Sequence, residues 1–332
     1  MAQRDIKRAR AIVSDDSDSS DSTVIANAPS GPRYLYYRLF TENMGIPSEK
    51  PAFPSDPYLG RVRANSVAPP QTVHLIKRRL CQIEDISDYL SSVLFLSSSS
   101  LSPMSDTERV SILTPSGPGS TPDKSMELVV NLSHRDRGWS NNSAANRQAM
   151  SPKPQYIYYS PYTEAGEIRA AYPVNPDAED SPSIARIDNN LVPPPHTVDS
   201  VIRCISFVEG FPYSFWHRLF VDITHESPIG NISATRLTLT NGGPGSMPER
   251  PLTFVQAAEL KERRSILSPR SYGAGSGFLS VNKYDGIYID GVVRREESTI
   301  YKSELRSYHS VYRARNAAGQ EGFVNTNNVS VS

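Results

Sequence analysis

The chain has 332 residues, and its 35 Lys and Arg against 35 Asp and Glu leave a formal net charge of zero. That balance excludes a long-range field able to draw the protein onto nucleic acid or an anionic membrane, and only local patches remain for such partners. Apolar residues make up 38%, 27 prolines interrupt the chain, and the lack of any apolar run of about 18 residues, together with a start that passes from basic to acidic, excludes a membrane span or secretory signal and places the protein inside the cell, in cytoplasm or nucleus.

Residues 1–31 read as a disordered Ser/Asp-rich tail, because Ser14 to Ser22 combines high charge with no apolar content. Its serines Ser14, Ser17, Ser19 and Ser20 sit among aspartates and are candidate phosphorylation sites, as is Ser151, which precedes Pro152 in a polar linker. Beyond the tail the chain repeats itself. Tyr34-Leu35-Tyr36-Tyr37 returns as Tyr156-Ile157-Tyr158-Tyr159, and Val67 to Val73 returns as Val192 to Val198, an offset of 125. Leu94-Phe95 returns as Leu219-Phe220 at the same offset, and Gly117-Pro118-Gly119-Ser120 as Gly243-Pro244-Gly245-Ser246. Ordered matches of this kind indicate two copies of one domain, residues 32–133 and 154–258, joined by a linker at 134–153.

Within each copy the aromatic run opens a strand, and a second strand follows at 60–67 and 183–192. Val73, Ile76, Leu80 and Ile83, and likewise Val198, Val201, Ile205 and Val208, form apolar stripes of helical period, with Thr72 and Thr197 as expected N-caps. Short apolar runs at 126–132 and 252–255 close each unit, an α+β arrangement with the helix across one face of a sheet. Ala257 to Ile266 reads as a short charged helix between the second copy and a β-rich segment at 272–332, with 259–271 as a charged linker.

The segment Val192 to Pro212, followed by Arg218-Leu219-Phe220-Val221, resembles ubiquitin: a proline-containing strand end, a Thr cap, a helix leaving through Glu-Gly-apolar-Pro, and an Arg-Leu-apolar strand. The first copy departs at the helix exit, where Asp85 follows Glu84. The resemblance implies two tandem ubiquitin-like β-grasp domains acting as built-in binding modules, with the partner-binding face at Phe95 and Val129 in the first copy and Phe220 and Val255 in the second. Apolar strand residues serve equally as core, so both readings of these four stand.

The C-terminal segment, with Leu279 to Ile289, Val311 to Asn316 and Glu321-Gly322-Phe323-Val324, resembles a small all-β Src homology 3-like barrel. Its proline-binding groove is degenerate: Val311 stands where the groove tryptophan belongs, Asn325 and Asn328 replace a proline and a tyrosine, and the opening strand is missing from 271–278. Packing between domains, or binding of something other than proline-rich peptide, follows from that loss.

No catalytic arrangement emerges. The six histidines have no metal spacing, the two cysteines no metal or catalytic pattern, and the glycines at 273–277 lack the lysine and helix of a phosphate loop. The reading is a non-enzymatic adaptor or scaffold whose partners are other proteins, with no cofactor, no small-molecule substrate, no membrane and no nucleic acid expected. The alternatives are a regulatory subunit mimicking ubiquitin toward a ligase, protease or segregase, and an enzyme with an unrecognised site.

Overall fold

The computed structural model describes residues 31–132, 155–176, 183–214, 216–230, 235–237, 242–258, 260, 262–269, 277–299 and 306–330. The chain divides into two units, Met1–Pro32 and Arg33–Ser332, and three sheets belong to the second. Among the described residues no helix is long and apolar enough to cross a membrane.

The first sheet contains β1 (Tyr34–Phe40), β2 (Gly45–Ile46), β3 (Pro51–Phe53), β4 (Asp56–Arg63), β5 (Val93–Phe95) and β6 (Met126–Val129), and α1 (Val73–Ile83) falls between β4 and β5. Strand order is β3-β4-β1-β6-β5, with β2 on β1; β1 runs antiparallel to β4 and parallel to β6. Alternation decides which side is core. Leu35, Tyr37 and Leu39 of β1 join Val62, Leu94, Met126 and Leu128 beneath Val73, Ile76 and Leu80 of α1, all buried in one cluster. Burying each such aliphatic side chain contributes about 1.5–3 kcal/mol.

The second sheet repeats the plan with β7 (Tyr156–Thr163), β8 (Gly166–Glu167), β9 (Ala185–Asp188), β10 (Arg218–Phe220) and β11 (Leu252–Gln256), and α2 (Val198–Glu209) between β9 and β10. Here β7 is antiparallel to β9 and parallel to β11, and β10 is antiparallel to β11. Matching hydrogen bonds recur. Tyr37 Oη donates to Glu84 at 2.5 Å and Tyr159 Oη to Glu209 at 2.6 Å, and each carboxylate also accepts a loop N–H, from Glu49 at 2.8 Å and Ala171 at 2.7 Å. Gly119 and Gly245, with φ of 67° and 71°, turn their carbonyls to the N–H of Tyr36 and Tyr158. At Gly119 a Cβ would lie 2.3 Å from Leu35, so the conserved spacing of Gly-Pro-Gly-Ser between the copies has a steric reason.

Both helices end in a left-handed residue, Gly210 at φ 75° and Asp85 at φ 54°. Ile86 N–H bonds Cys81 O, and Phe211 N–H bonds Ser206 O, both at 2.8 Å, so the Asp85 departure changes the residue and keeps the turn. The starts differ. Thr197 Oγ1 accepts from Ser200 N–H, whereas Thr72 makes no side-chain cap bond. The first N–H groups of α1 are satisfied by the carbonyls of Glu108 and Asp106 instead. The second strands also end earlier than expected, at Arg63 and Asp188, because Ala64–Ser66 and Asn189–Leu191 wind into 3-10 turns.

The third sheet comprises β12 (Glu262–Ser265), β13 (Gly286–Ile289), β14 (Arg294–Thr299), β15 (Arg306–Asn316) and β16 (Glu321–Asn325), in the order β12-β13-β15-β14 with β16 on β15, all pairs antiparallel. Ile266, Leu279, Val281, Ile287, Ile289, Ala314, Val324 and Val329 form its core. Two expectations are corrected here. Residues 262–265 are a strand and not part of a charged helix, and the sheet begins there, upstream of position 272. Pairing with β13, which drops Ile266 into the core, overrides the helix-forming propensity of Glu262 and Arg263.

Candidate protein-interaction surfaces

Each repeat has an inner sheet face under its helix and an outer face opposite. In the first sheet the outer side chains are Tyr34, Tyr36, Arg38 and Phe40 on β1, Leu59, Arg61 and Arg63 on β4, and Val93, Phe95, Glu127 and Val129 on β5 and β6. Phe95 and Val129 are diagonal neighbours there, through the pairs Phe95↔Glu127 and Val93↔Val129. Phe95 is only 3% exposed, however, so it is a packed residue and not an available contact. Val129 is half-buried beside the more open Val93. In the second sheet Phe220 and Val255 are likewise diagonal neighbours, opposite Thr253 and Arg218, and both are half-buried. Ser14, Ser17, Ser19, Ser20 and Ser151 lie outside the described residues.

The β1–β2 end of the first repeat, with Arg38 of its outer face, is consumed by the second repeat. Met44, after β1, and Tyr58 of β4 are built into the apolar cluster of the second repeat beside Leu191 and Ile202. Glu42, in the β1–β2 turn, pairs with Arg203 of α2 at 3.6 Å. The repeats are thus docked directly, which removes the independent motion that tethered, avidity-driven modules need. Behind this junction lies a buried ionic cluster. Arg38 grips Asp56 through both oxygens, at 3.3 and 2.8 Å. Asp188 of β9, held by Asn190, has its carboxyl raised by burial, with Arg38 drawing it down and Asp56 pushing it up. Glu127 is 4% exposed and its Oε2 has no hydrogen-bond partner; burial pushes its carboxyl up to about 8 against a weaker pull from Arg38.

A second junction joins the repeat to the third sheet. Trp216, 4% exposed, lies with its ring centroid 4.5 Å from Phe323 and beneath the guanidinium of Arg313 at 4.9 Å. Ser214 Oγ donates to Glu321 at 2.7 Å, and Glu164, in the β7–β8 turn, pairs with Arg313 at 3.5 Å. Alongside, His217 accepts from Ala257 N–H at Nδ1 and donates from Nε2 to Pro212 O, and burial holds it neutral by lowering its pKa. None of these junction residues stood out in the sequence except by departure from the repeat: Trp216 falls where the first copy has Ser91, and Glu127 where the second has Thr253.

On the third sheet the positions read as a degenerate groove are packed or polar. Val311 is fully buried, Asn325 donates to His309 at 3.3 Å, and Asn328 is 5% exposed and accepts from Ser268 Oγ at 2.9 Å. On the same sheet Tyr284 and Tyr308 are well exposed, Tyr288 is 39% exposed and Tyr312 packs on the core. Compared with protein-family models, curated proteins and solved structures, the chain finds no match.

Proposed function

We propose that this chain is a non-catalytic scaffold for other proteins, built from two ubiquitin-like β-grasp modules and a Src homology 3-like barrel. Support for the modules comes from the strand order, in which two first-placed strands, β1 and β7, each run parallel to the last strand of their unit and antiparallel to a second strand, with one helix on the inner face. The barrel reading draws on five antiparallel strands closed by a 3-10 turn at Thr326–Asn328 and a bridge from Val329 to Ile266.

One observation carries the scaffold reading: each module is fused to the next through packed side chains, buried Met44 and Tyr58 at one junction and buried Trp216 against half-buried Phe323 at the other. Fused modules hold their outward faces at fixed spacing, which favours a partner that spans them and reduces the ordering cost of binding. The test is affinity capture from the source cells by the full chain, compared with Phe220→Ala/Val255→Ala. A defined partner set, reduced in the variant, supports the reading. Recovery of no partner by either protein refutes it, and recovery of ligase or proteasome components redirects it to ubiquitin mimicry.

A further inference from the structure

The half of the first outer face that the second repeat leaves open has an unusual composition. On β1, Tyr34 and Tyr36 stand opposite Arg63 and Arg61 of β4, and Phe53 of β3 stacks beside Tyr36 with ring centroids 6.4 Å apart. Arg61 and Arg63 are exposed, as are Arg33, just before β1, and Phe53. The only carboxylate in β1, β3 or β4 is Asp56, and it is buried in the grip of Arg38. Among the described residues, Arg33, Arg61 and Arg63 have no ion-pair partner, and Arg61 and Arg63 share the outer sheet face.

Which anion suits this face follows from how the rings are used. Arg61 already lies over the Tyr34 ring at 4.9 Å, and Tyr36 is already stacked with Phe53. Each of these rings therefore has one face already engaged, which leaves less stacking surface for a nucleobase. What points outward is guanidinium N–H, held in place by the ring below, which is the geometry that takes a carboxylate through two parallel hydrogen bonds. Arg61 and Arg63 lie two residues apart on one strand, so their side chains leave the sheet about 6.6 Å apart. An extended peptide repeats its own side chains at the same interval on one face.

The second repeat supplies a contrast within the same molecule. Arg186 lies over Tyr156 at 4.3 Å just as Arg61 lies over Tyr34, yet the position matching Arg63 is Asp188, turned into the junction with Arg38, and Arg186 is half-buried. The arrangement is duplicated, and the first copy is the more open of the two.

We infer that the Tyr34–Tyr36–Phe53–Arg61–Arg63 face is a docking surface for an extended acidic peptide segment of a partner protein, with alternate carboxylates seated on Arg61 and Arg63. The inference deepens the scaffold reading and rests on it. The test uses the full chain and a fluorescein-labelled peptide of about twelve residues alternating Glu and Ser, followed by fluorescence anisotropy, with a dT oligonucleotide of equal length as comparison. Saturable peptide binding is expected, weakened about tenfold or more in Arg61→Ala/Arg63→Ala, recovered only in part by Arg61→Lys/Arg63→Lys, and unchanged in Arg263→Ala on the third sheet. Absence of saturable binding, affinity within about twofold of wild type in the double alanine variant, or a preference for the oligonucleotide that the same variant abolishes would each overturn it. Failure here leaves the partner-capture experiment, which probes Phe220 and Val255, standing on its own.

Discussion

Replacing Glu127 by Gln isolates the charge behind the junction between the repeats. The carboxyl is held near 8 in the folded protein against an ordinary value of 4.5, through burial. A folded-state value raised above the unfolded one means that stability from this group is fully present below pH 4.5 and is lost as pH rises toward 8, because the unfolded chain releases the proton first. Across that window the loss amounts to about 1.4 kcal/mol per pH unit, or about 5 kcal/mol in all. Gln keeps the shape and cannot ionise, so the difference between variant and wild type should be constant below pH 4.5, grow in the variant's favour up to about pH 8, and level off beyond. Any fixed cost of burying the amide shifts this curve without changing its slope. Urea unfolding of both proteins at matched pH values between 4 and 9 measures it, and effects of other titrating groups cancel in the difference. A difference that stays flat across the range, or falls as pH rises, would refute a protonated Glu127 in the folded state.

His196 acts at the other end of the pH scale: burial lowers it to about 4 from 6.5, so stability should fall by about 3 kcal/mol as pH drops through that interval, and His196→Gln should flatten the slope in the same unfolding series. Trp216→Ala should cost about 3–5 kcal/mol and loosen the third sheet from the second repeat, read as faster limited proteolysis between the two; unchanged protection would show that Phe323 and Arg313 hold the junction without it. Tyr37→Phe and Tyr159→Phe each remove one bond to a helix-end glutamate and should cost about 1–3 kcal/mol each in thermal or urea unfolding, with loss of equal size in the two copies if the bonds are equivalent.

Much of the fold was legible because it depends on period. The two apolar stripes placed α1 and α2, the aromatic runs placed β1 and β7, and the repeat offset tied the two together. Short strands escaped for the opposite reason: β2 and β8 are two residues long, too short to carry alternation. β12 was hidden because Glu262, Arg263 and Arg264 favour helix locally, and only pairing with β13 overrides that. The interaction face was the least legible. Phe95 and Val129 lie on the outer side of their sheet, but whether an outer side meets solvent or another module depends on docking, which leaves no period in the sequence. The Arg61–Tyr34 ladder needed the β1–β4 register, which brings together residues 27 positions apart.

The two acidic turns have a consequence for assembly. Glu42 and Glu164 occupy the same place in successive repeats, and each reaches forward to an arginine of the following module, Arg203 in one case and Arg313 in the other. A contact in which the front of one unit meets the back of the next is head-to-tail, so the order of the units along the chain decides which of them supplies each side. The C-terminal sheet accepts the forward contact of the second repeat through Arg313 and Phe323 and presents a different body beyond it. The same acidic turn is thus used twice, against a helix at one junction and against a sheet at the other.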